Sequence, residues 1–300
     1  IDFEQEDPIV CPIDKAEELG FYFQIKKFKN FKPKFLDHKP MTLSIDPVPR
    51  YVYRKAYKKV VKEIYQGNTF LLNLTFPSKI KTPLSLEHVF HLAKAPYKLH
   101  YKDQFVVYSP ECFIKIINGY IYSYPMKGTI NGNLHDAQKI LTNNTKEINE
   151  HNTIVDLIRN DLSKVAKEVK VTRFRYMDRI KTQKNEIFHT SSEIRGKLFK
   201  EWKKQLPEIL LNMLPAGSIC GAPKEKTVSI IREVEQEKRG YYTGIFGFFD
   251  GENLDSAVNI RYLEKHQGEI RYRSGGGITS LSDLESEYNE LIEKIYVPVI

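Results

Sequence analysis

The 300-residue sequence is poor in cysteine and tryptophan, and it has no hydrophobic run long enough to cross a membrane. A membrane-spanning helix needs about 20 consecutive apolar residues. Its three cysteines, Cys11, Cys112 and Cys220, are too widely spaced for a disulfide framework or a zinc site. The acidic start Ile1-Asp2-Phe3-Glu4 lacks the basic-then-apolar pattern of a secretory signal. These absences predict a cytoplasmic protein with no membrane association.

Basic residues are in excess, with 46 Lys and Arg against 38 Asp and Glu, which gives a net charge of +8. An excess of this sign raises the possibility of nucleic-acid binding. No zinc-finger or RNA-binding signature accompanies the basic runs, and acidic residues interrupt most of them. We interpret the runs first as solvated surface, second as charge that steers a small anionic substrate, and only third as a nucleic-acid-binding surface. The prediction is therefore no nucleic-acid partner.

Hydrophobic periodicity and turn residues divide the chain into elements. Residues 1–48 read as a short, irregular N-terminal segment, and residues 49–298 as one larger domain. The pattern predicts helices over 51–66, 84–95, 135–169 with a break near 160, 201–211, 224–235 and 283–295. It predicts strands over 69–76, 104–109, 112–117, 120–124, 171–177, 185–189, 243–249, 256–264 and 269–274. Antiparallel strand groups separated by long helices indicate the α+β class.

Lys127 and Glu111 form the first candidate site. Lys127 follows a strand-like run and precedes a Gly-Thr turn, and Glu111 stands at the start of a neighbouring strand. A hairpin at Asn118-Gly119 can bring the two segments together. A carboxyl group and an amine at one reacting centre could act as a general acid and a nucleophile. From the pair alone, a surface ion pair is the better interpretation.

Two pairs of carboxylates form the second candidate site. Glu147 and Glu150 are three residues apart on one predicted helix, and Glu287 and Glu290 are three apart on another, so each pair shares a helix face. Two such faces could bind Mg²⁺, which prefers oxygen ligands. Lys294 lies on the same face as Glu287. Without further observations, plain helix-surface charge is the better interpretation of these residues.

A glycine triplet, Gly275-Gly276-Gly277, lies between a predicted strand and a predicted helix. We expect it to end the strand and to present backbone N–H groups to an anion, although a tight turn is the simpler interpretation. Arg261 could clamp a carboxylate, and Tyr242 could add a hydroxyl group. His189 is the best placed of the eight histidines, although a histidine in such a position is more often structural.

Taken together, several sequence strings resemble the chorismate-utilising enzymes. The resemblance covers about residues 50–297, and four strings carry it: 154–161 (IVDLIRND), 215–224 (PAGSICGAPK), 239–244 (RGYYTG) and 275–290. It implies antiparallel sheets packed as a sandwich with flanking helices. In the string Pro125-Met126-Lys127-Gly128-Thr129, anthranilate, isochorismate and salicylate synthases usually carry Ala at the third position, whereas aminodeoxychorismate synthases carry Lys. The resemblance is therefore strongest to the enzymes that make the 4-aminobenzoate precursor for folate.

The resemblance also implies a mechanism. Lys127 attacks C2 of chorismate, Glu111 protonates the departing C4 hydroxyl group, and ammonia then attacks C4 and expels the lysine. Because the amine must be neutral to attack, we expect burial or neighbouring cations to lower the pKa of Lys127.

The remaining roles also follow from the resemblance. Mg²⁺ would be held by Glu150 and Glu287, with support from Glu147 and Glu290. The substrate would be bound by Arg261, Tyr242, Gly275, Gly277, Lys294, Gly128, Thr129, His189 and Cys220.

Departures from the family pattern limit these expectations. Leu71 stands where many relatives have a glutamine that faces the substrate, and a hydrophobic residue there could exclude water that competes with ammonia. Cys220 stands where a threonine is common, so we do not expect the hydrogen bond that a threonine hydroxyl group would make there. The N-terminal region is shorter than in many relatives, so we predict no tryptophan site.

The chain has no Gly-x-Cys-x-Gly nucleophile elbow, so ammonia would come from a separate glutaminase subunit. Anthranilate synthase component I is the alternative within the family, and a basic nucleic-acid-binding protein is the alternative from another class.

Overall fold

A computed structural model of the chain describes residues 1–33, 43–131, 136–181 and 186–298. Within these ranges the strands, numbered along the chain, are β1 Phe21–Ile25, β2 Phe28–Lys29, β3 Ser44–Asp46, β4 Leu71–Lys81, β5 Tyr97–Tyr101, β6 Phe105–Ser109, β7 Cys112–Ile117, β8 Tyr120–Ser123, β9 Met126–Asn131, β10 Lys167–Lys181, β11 Glu186–Lys197, β12 Gly221–Ala222, β13 Ile245–Phe249, β14 Leu254–Val258, β15 Tyr262–His266 and β16 Glu269–Ile278. The α-helices are α1 Arg50–Tyr65, α2 Leu86–Leu92, α3 Ala137–Asn143, α4 Thr145–Val165, α5 Leu206–Met213, α6 Lys224–Glu235 and α7 Leu284–Glu293. Short 3₁₀ helices span Ile13–Lys15 and Gly217–Ile219.

The strands form two antiparallel sheets. In the described residues the larger sheet has nine strands, in the order β12-β4-β16-β15-β6-β5-β1-β2 with β3 beside β4. The smaller sheet has seven, in the order β10-β11-β8-β7-β14-β13 with β9 beside β11. Antiparallel sheets with flanking helices confirm the predicted α+β class and sandwich.

Two neighbouring stretches of chain pass from one sheet to the other, and we call them the crossovers. The first joins β6 to β7 through Glu111, and the second joins β14 to β15 through Arg261. The backbone carbonyl of Glu111 accepts the N–H of Val258 at 3.2 Å, and that of Arg261 accepts the N–H of Tyr108 at 3.2 Å. The single strand predicted over 256–264 is therefore wrong, because the chain turns there into the other sheet.

Helices α3 and α4 occupy the region where the sequence predicts one long helix. The break falls at Asn144, whose side chain accepts the N–H of Glu147 and so caps a new helix. The predicted break near residue 160 is wrong, since α4 continues through Val165. After α4 the chain enters strand β10, which pairs with β11.

The N-terminal segment supplies strands to the larger sheet. Apolar residues alternate at Phe21, Phe23 and Ile25, and this strand, β1, pairs along its whole length with β5. Asn30, which follows β2, is bound to β1 through its side chain. It accepts from the Phe23 N–H at 2.7 Å and donates to the Phe21 carbonyl at 2.8 Å. The expectation of an irregular segment is therefore wrong for these residues, whereas the boundary at residue 48 stays a prediction.

The main hydrophobic core lies under the helices. It joins the inner faces of α1, α4, α5, α6 and α7 to strands β4, β7 and β8. Among the described residues, no helix combines the length and the apolar character that a membrane crossing requires. The core fixes α4 and α7 against the sheets, and these two helices carry the carboxylates singled out from the sequence.

Candidate active site

Lys127 is the second residue of β9, and the strand ladder fixes its backbone. It pairs with Thr190 of β11, whose hydroxyl group donates a hydrogen bond to the Lys127 carbonyl. β11 also fixes the residue just before β9, because the Ser192 N–H donates to the Pro125 carbonyl at 3.0 Å. The backbone at Lys127 and just before it is thus fixed against β11.

Glu150 of α4 binds the Lys127 amine, with 3.1 Å between Oε2 and Nζ. The two side chains are 6% and 19% exposed, respectively, so the pair is shielded but reachable from solvent. Glu147 lies one turn earlier on α4 and adds to the negative charge that acts on Lys127. The structure therefore brings Lys127 of the first candidate site together with the α4 carboxylates of the second. The carboxylate that binds Lys127, Glu150, is one that the resemblance assigns to Mg²⁺.

The pKa of Lys127 is raised above its ordinary value. Burial lowers it, but the charge and hydrogen bond of Glu150, with the charges of Glu147 and Glu111, outweigh burial. The expectation of a lowered pKa is therefore wrong for this arrangement, because carboxylates surround the amine where we expected neighbouring cations.

Glu111 lies in the first crossover, and its carboxylate accepts a hydrogen bond from the Ser218 hydroxyl group. Burial raises the pKa of Glu111, while the Ser218 hydrogen bond and the charges of Lys127, Arg261 and Lys294 act in the opposite direction. A carboxyl group whose pKa is raised by burial can retain a proton to donate, which is what a general acid needs.

The glycine triplet lies within β16 rather than after it, so the expectation that it ends the strand is wrong. Gly275, Gly276 and Gly277 pair with β4, whereas the pairing of β15 with β16 stops at Arg273. One edge of the triplet is therefore open. Lys294 Nζ donates to the Gly275 carbonyl at 3.0 Å, which places that carbonyl on the open edge.

The N–H groups of the open edge face the same way as its carbonyls. In an antiparallel strand the N–H and C=O of one residue point to the same side, and so do those of the residue two positions on. The N–H groups of Gly275 and Gly277 therefore point away from β4. This geometry is compatible with the predicted anion contact.

Carboxylates from both helices reach the triplet, and the missing side chains make room for them. A Cβ atom on Gly276 would lie 3.1 Å from Glu290 Oε1 and 3.5 Å from Glu287 Oε2. A Cβ atom on Gly277 would lie 3.1 Å from Glu150 Oε2. A side chain at either position would press against these oxygen atoms, so glycine accommodates the close approach of carboxylates from α4 and α7.

This oxygen-rich cradle suits the chemistry of Mg²⁺, which takes carboxylate ligands. In this structure lysines hold two of the carboxylates, since Lys294 Nζ also lies 2.6 Å from Glu290 Oε1. Across the described ranges, no group of three or more His, Cys, Asp or Glu side chains is arranged to hold a metal ion. The magnesium site stays a prediction, although the donor set fits it.

Arg261 adopts a backbone φ of +54°, which is uncommon for a residue other than glycine. Its guanidinium group lies 4.7 Å from the centre of the Tyr296 ring, and NH1 donates to the Lys294 carbonyl at 3.4 Å. Within the described part of the chain its Nε is buried without a hydrogen-bond partner. The group thus retains capacity to bind an anion.

The other predicted site residues have varied surroundings. Tyr242 is buried against Tyr262, with ring centres 5.7 Å apart, and burial raises its pKa to about 12. His189 is buried on β11, opposite Thr129 of β9 in the ladder. Gly128 and Thr129 belong to β9, but their side-chain environment lies outside the described part of the structure. Cys220 is 0% exposed and belongs to the main core, so its thiol does not line an accessible surface.

An apolar cavity of about 520 Å³ lies outside this site, and it is lined by the N-terminal segment, β1 and β13. None of the predicted site residues lines it. This apolar cavity therefore does not coincide with the polar site.

Comparison with known proteins assigns the family. A model of the family described as chorismate binding enzyme matches residues 18–299. The chain belongs to this family. It is a chorismate-utilising enzyme, as the resemblance of the sequence strings predicted.

Relatives of this chorismate-binding enzyme include proteins with different names. An uncharacterised PabA-like protein of Pasteurella multocida is 55% identical over 300 residues, covering 100% of this chain and 93% of that protein. An anthranilate synthase component 1 of Haloarcula marismortui is 33% identical over 254 residues, and aminodeoxychorismate synthase component 1 of Salmonella typhimurium is 30% identical over 264 residues. These matches cover 79% and 82% of this chain but 49% and 56% of the two relatives, so the chain spans about half of their length.

A solved structure supports the fold of this chorismate-binding enzyme. Anthranilate synthase component I of Streptococcus pneumoniae matches with a TM-score of 0.73 at 24% identity, covering 87% of this chain and 60% of that chain. The two proteins share the sandwich architecture.

Two polar groups near the site escaped the sequence analysis. Ser218 lies in the PAGS string that carries the resemblance, but the sequence analysis assigns it no role. His151, next to Glu150, is fully buried, and its Nε2 lies 2.6 Å from Ser192 Oγ. Its position beside a candidate ligand on α4 was the only available signal, because its partner lies 41 residues away.

Proposed function

We propose that the chain is an aminodeoxychorismate synthase subunit, which converts chorismate and ammonia into 4-amino-4-deoxychorismate through a covalent adduct on Lys127. The observation that supports this proposal is the position of Lys127 in the carboxylate cradle, where its charge interacts with Glu150 and Glu111. An amine at this position can bond to the substrate, which an alanine cannot do. The identities of the named relatives do not separate this reaction from anthranilate synthesis.

The proposed reaction has two displacements. In the first, the neutral Lys127 amine bonds to C2, the ring double bonds shift, and the C4–O bond breaks. The hydroxyl group takes a proton from Glu111 and leaves as water, while the new ammonium group gives up a proton. In the second, ammonia bonds to C4, the double bonds shift back, and the C2–N bond breaks as the leaving nitrogen regains the proton given up in the first displacement. This restores the neutral Lys127 amine and leaves an ammonium group on C4. Splitting one difficult displacement into two lowers the barrier to each.

The residues of the cradle would bind and orient the substrate. Glu150 and Glu287, supported by Glu147 and Glu290, would hold Mg²⁺. When bound, this cation would supply positive charge for a substrate carboxylate and would offset the carboxylates that raise the pKa of Lys127. Arg261 and the open-edge N–H groups of Gly275 and Gly277 would bind the second carboxylate of chorismate.

The product identifies the reaction. The purified chain is incubated with chorismate, Mg²⁺ and ammonium, and an aminodeoxychorismate lyase is then added. We expect 4-aminobenzoate by chromatography. Formation of anthranilate without the lyase would instead establish the alternative reaction and contradict the proposal.

The adduct identifies the nucleophile. Without ammonia, intact-mass measurement should show a chorismate-derived addition on the wild-type chain and none on Lys127→Ala. Lys115→Ala is a matched control, because Lys115 is 17% exposed and lies 2.8 Å from a carboxylate oxygen of Asp255, outside the site. An adduct that persists in Lys127→Ala would exclude Lys127 as the nucleophile.

We also propose that a separate glutaminase subunit supplies the ammonia. Glutamine should support product formation only when such a subunit is added, whereas ammonium should support it without one. Glutamine-dependent activity of the purified chain alone would contradict this part of the proposal.

A further inference from the structure

Glu111 has a fixed backbone. Its N–H donates to the Ser109 hydroxyl group at 3.1 Å, and its carbonyl accepts the Val258 N–H at 3.2 Å. These bonds set where the side chain begins, but they leave its torsions unrestrained. A carboxyl group that must meet a departing hydroxyl group needs a second anchor at its far end, since small displacements from the reactive geometry cost rate.

Ser218 provides that anchor, because its hydroxyl group donates to Glu111 Oε1. Ser218 is the middle residue of the short 3₁₀ helix Gly217–Ile219. The two residues are 107 positions apart in the chain, so the contact depends on the tertiary fold.

The helix that carries Ser218 is held from several directions. A Cβ atom on Gly217 would lie 2.8 Å from a methyl group of Leu157, so glycine allows the helix to press against α4. The Ile219 carbonyl accepts a hydrogen bond from Arg239 at 2.9 Å, and the Cys220 carbonyl accepts one from the Asn73 N–H at 2.7 Å. The Ser218 hydroxyl group is therefore presented from a rigid support.

We infer that Ser218 is a positioning residue, which holds Oε1 of Glu111 so that Oε2 delivers the proton to the leaving group. This inference rests on the proposed role of Glu111 as the general acid. Because the Ser218 hydroxyl hydrogen points at Oε1, the acidic proton is left on Oε2. A serine of the short 3₁₀ helix thus orients the acid that lies in the first crossover.

Several other charged groups face Glu111 and enter the interpretation of its titration. They are Lys127 of β9, Arg261 of the second crossover and Lys294 after α7. Asp161 of α4 and Cys112 of β7 line the small cavity that Glu111 and Ser218 share. None of these groups changes when Ser218 is substituted, so the effect of the hydroxyl group can be isolated.

The direction of the expected shift follows from the hydrogen bond. A donor to the charged carboxylate lowers its pKa, so removal of the donor raises the pKa of Glu111 further above its ordinary value. The same removal lets the carboxyl group turn, which should lower kcat by about tenfold, the worth of one charged hydrogen bond. KM should change little, because Ser218 does not contact the substrate in the proposed site.

Carboxyl ¹³C NMR titration of the glutamate-labelled, full-length chain tests the inference directly. The Glu111 signal is identified as the one missing from Glu111→Gln. We expect its pKa to rise in Ser218→Ala and to return toward the wild-type value in Ser218→Thr, with kcat for chorismate consumption following the same order. Ser123→Ala is the control, since Ser123 lines the same cavity but donates to the Phe113 carbonyl.

An unchanged pKa of Glu111 in Ser218→Ala, or a Thr variant no better than the Ala variant, would overturn the inference. A merely structural role would lower activity without moving the pKa. Because the titration needs no turnover and the kinetics follow chorismate consumption, either result stands apart from the product that identifies the proposed function.

Discussion

Two buried ion pairs of this molecule resemble each other in composition and differ in surroundings. Arg239 and Glu235 lie 2.6 Å apart and are 1% and 5% exposed, whereas Lys127 and Glu150 lie 3.1 Å apart and are 19% and 6% exposed. Arg239 also donates to the backbone carbonyls of Asn73 and Ile219, at 2.7 and 2.9 Å. The first pair is enclosed by further hydrogen-bond partners, whereas the second borders the open edge of the glycine triplet.

The difference separates charge that holds the fold from charge that is available to a ligand. Glu235 also accepts hydrogen bonds from the N–H and hydroxyl groups of Thr75, so little of its capacity remains. Lys127 and Glu150 face a cradle where glycine leaves space. We therefore expect substitutions at the first pair to reduce stability and those at the second to reduce activity.

The largest expected effect is on turnover in Lys127→Ala. Loss of the nucleophile should lower kcat for amination by a factor on the order of 10³ or more, since the direct displacement lacks covalent assistance. Lys115→Ala should retain wild-type turnover within about twofold. A Lys127→Ala enzyme with near-normal steady-state turnover would remove the distinction between the two pairs.

The next effect is on stability in Arg239→Met. Removal of one partner leaves the Glu235 charge buried, which should reduce the free energy of unfolding by about 3–5 kcal/mol in urea titrations. Lys127→Met should cost less than half as much, because Glu150 lies beside the open edge. Equal losses in the two variants would show that both pairs support the fold.

A smaller effect concerns magnesium. At a concentration 100 times its dissociation constant, a bound ion should stabilise the chain by about 2.7 kcal/mol, which is a rise in Tm of roughly 5 °C for a chain of this size. Glu150→Gln should abolish the rise. Glu269→Gln, which changes an exposed carboxylate paired with Lys79, should retain it. A Mg²⁺-dependent rise that survives in Glu150→Gln would place the ion elsewhere.

The smallest effect is expected at Cys220. Its thiol lies in the core, and burial raises its pKa to about 12, so the group stays neutral and inert at ordinary pH. Cys220→Ala should leave kcat/KM within about twofold of wild type in steady-state assays. A tenfold rise in KM would restore the predicted role of this residue in binding the substrate.

Local patterns predicted the parts of the fold that depend on local physics. Helix α6 has the predicted bounds because its apolar residues recur at helical spacing between a proline and polar residues. The break at Asn144 was missed because both flanking stretches favour helix, and only the capping hydrogen bond separates them. The turn at Arg261 was missed because its apolar flanks continue a strand pattern, while the second sheet that receives the chain is set by distant residues.

The candidate site was predictable in its residue types and less so in its pairings. Helical spacing of Glu147 and Glu150 was sufficient to place them on one face of α4. The ion pair between Lys127 and Glu150 depends on how α4 packs against β9, which sequence spacing does not determine. That packing reversed the expected direction of the Lys127 pKa. The hydrogen bond between Glu111 and Ser218 was likewise not predictable, because it joins residues 107 positions apart in the chain.

The paired crossovers have a consequence for motion. Glu111 and Arg261 lie where the same two neighbouring chain segments leave one sheet and enter the other, joined there by backbone hydrogen bonds. If one sheet rotates against the other, the segments shared by both sheets serve as the axis of rotation. Atoms on an axis of rotation move least. Such a rotation would therefore displace the outer strands by much more than it would change the distance between these two residues. In such a rotation Glu111 and Arg261 would keep their separation better than residues of the outer strands.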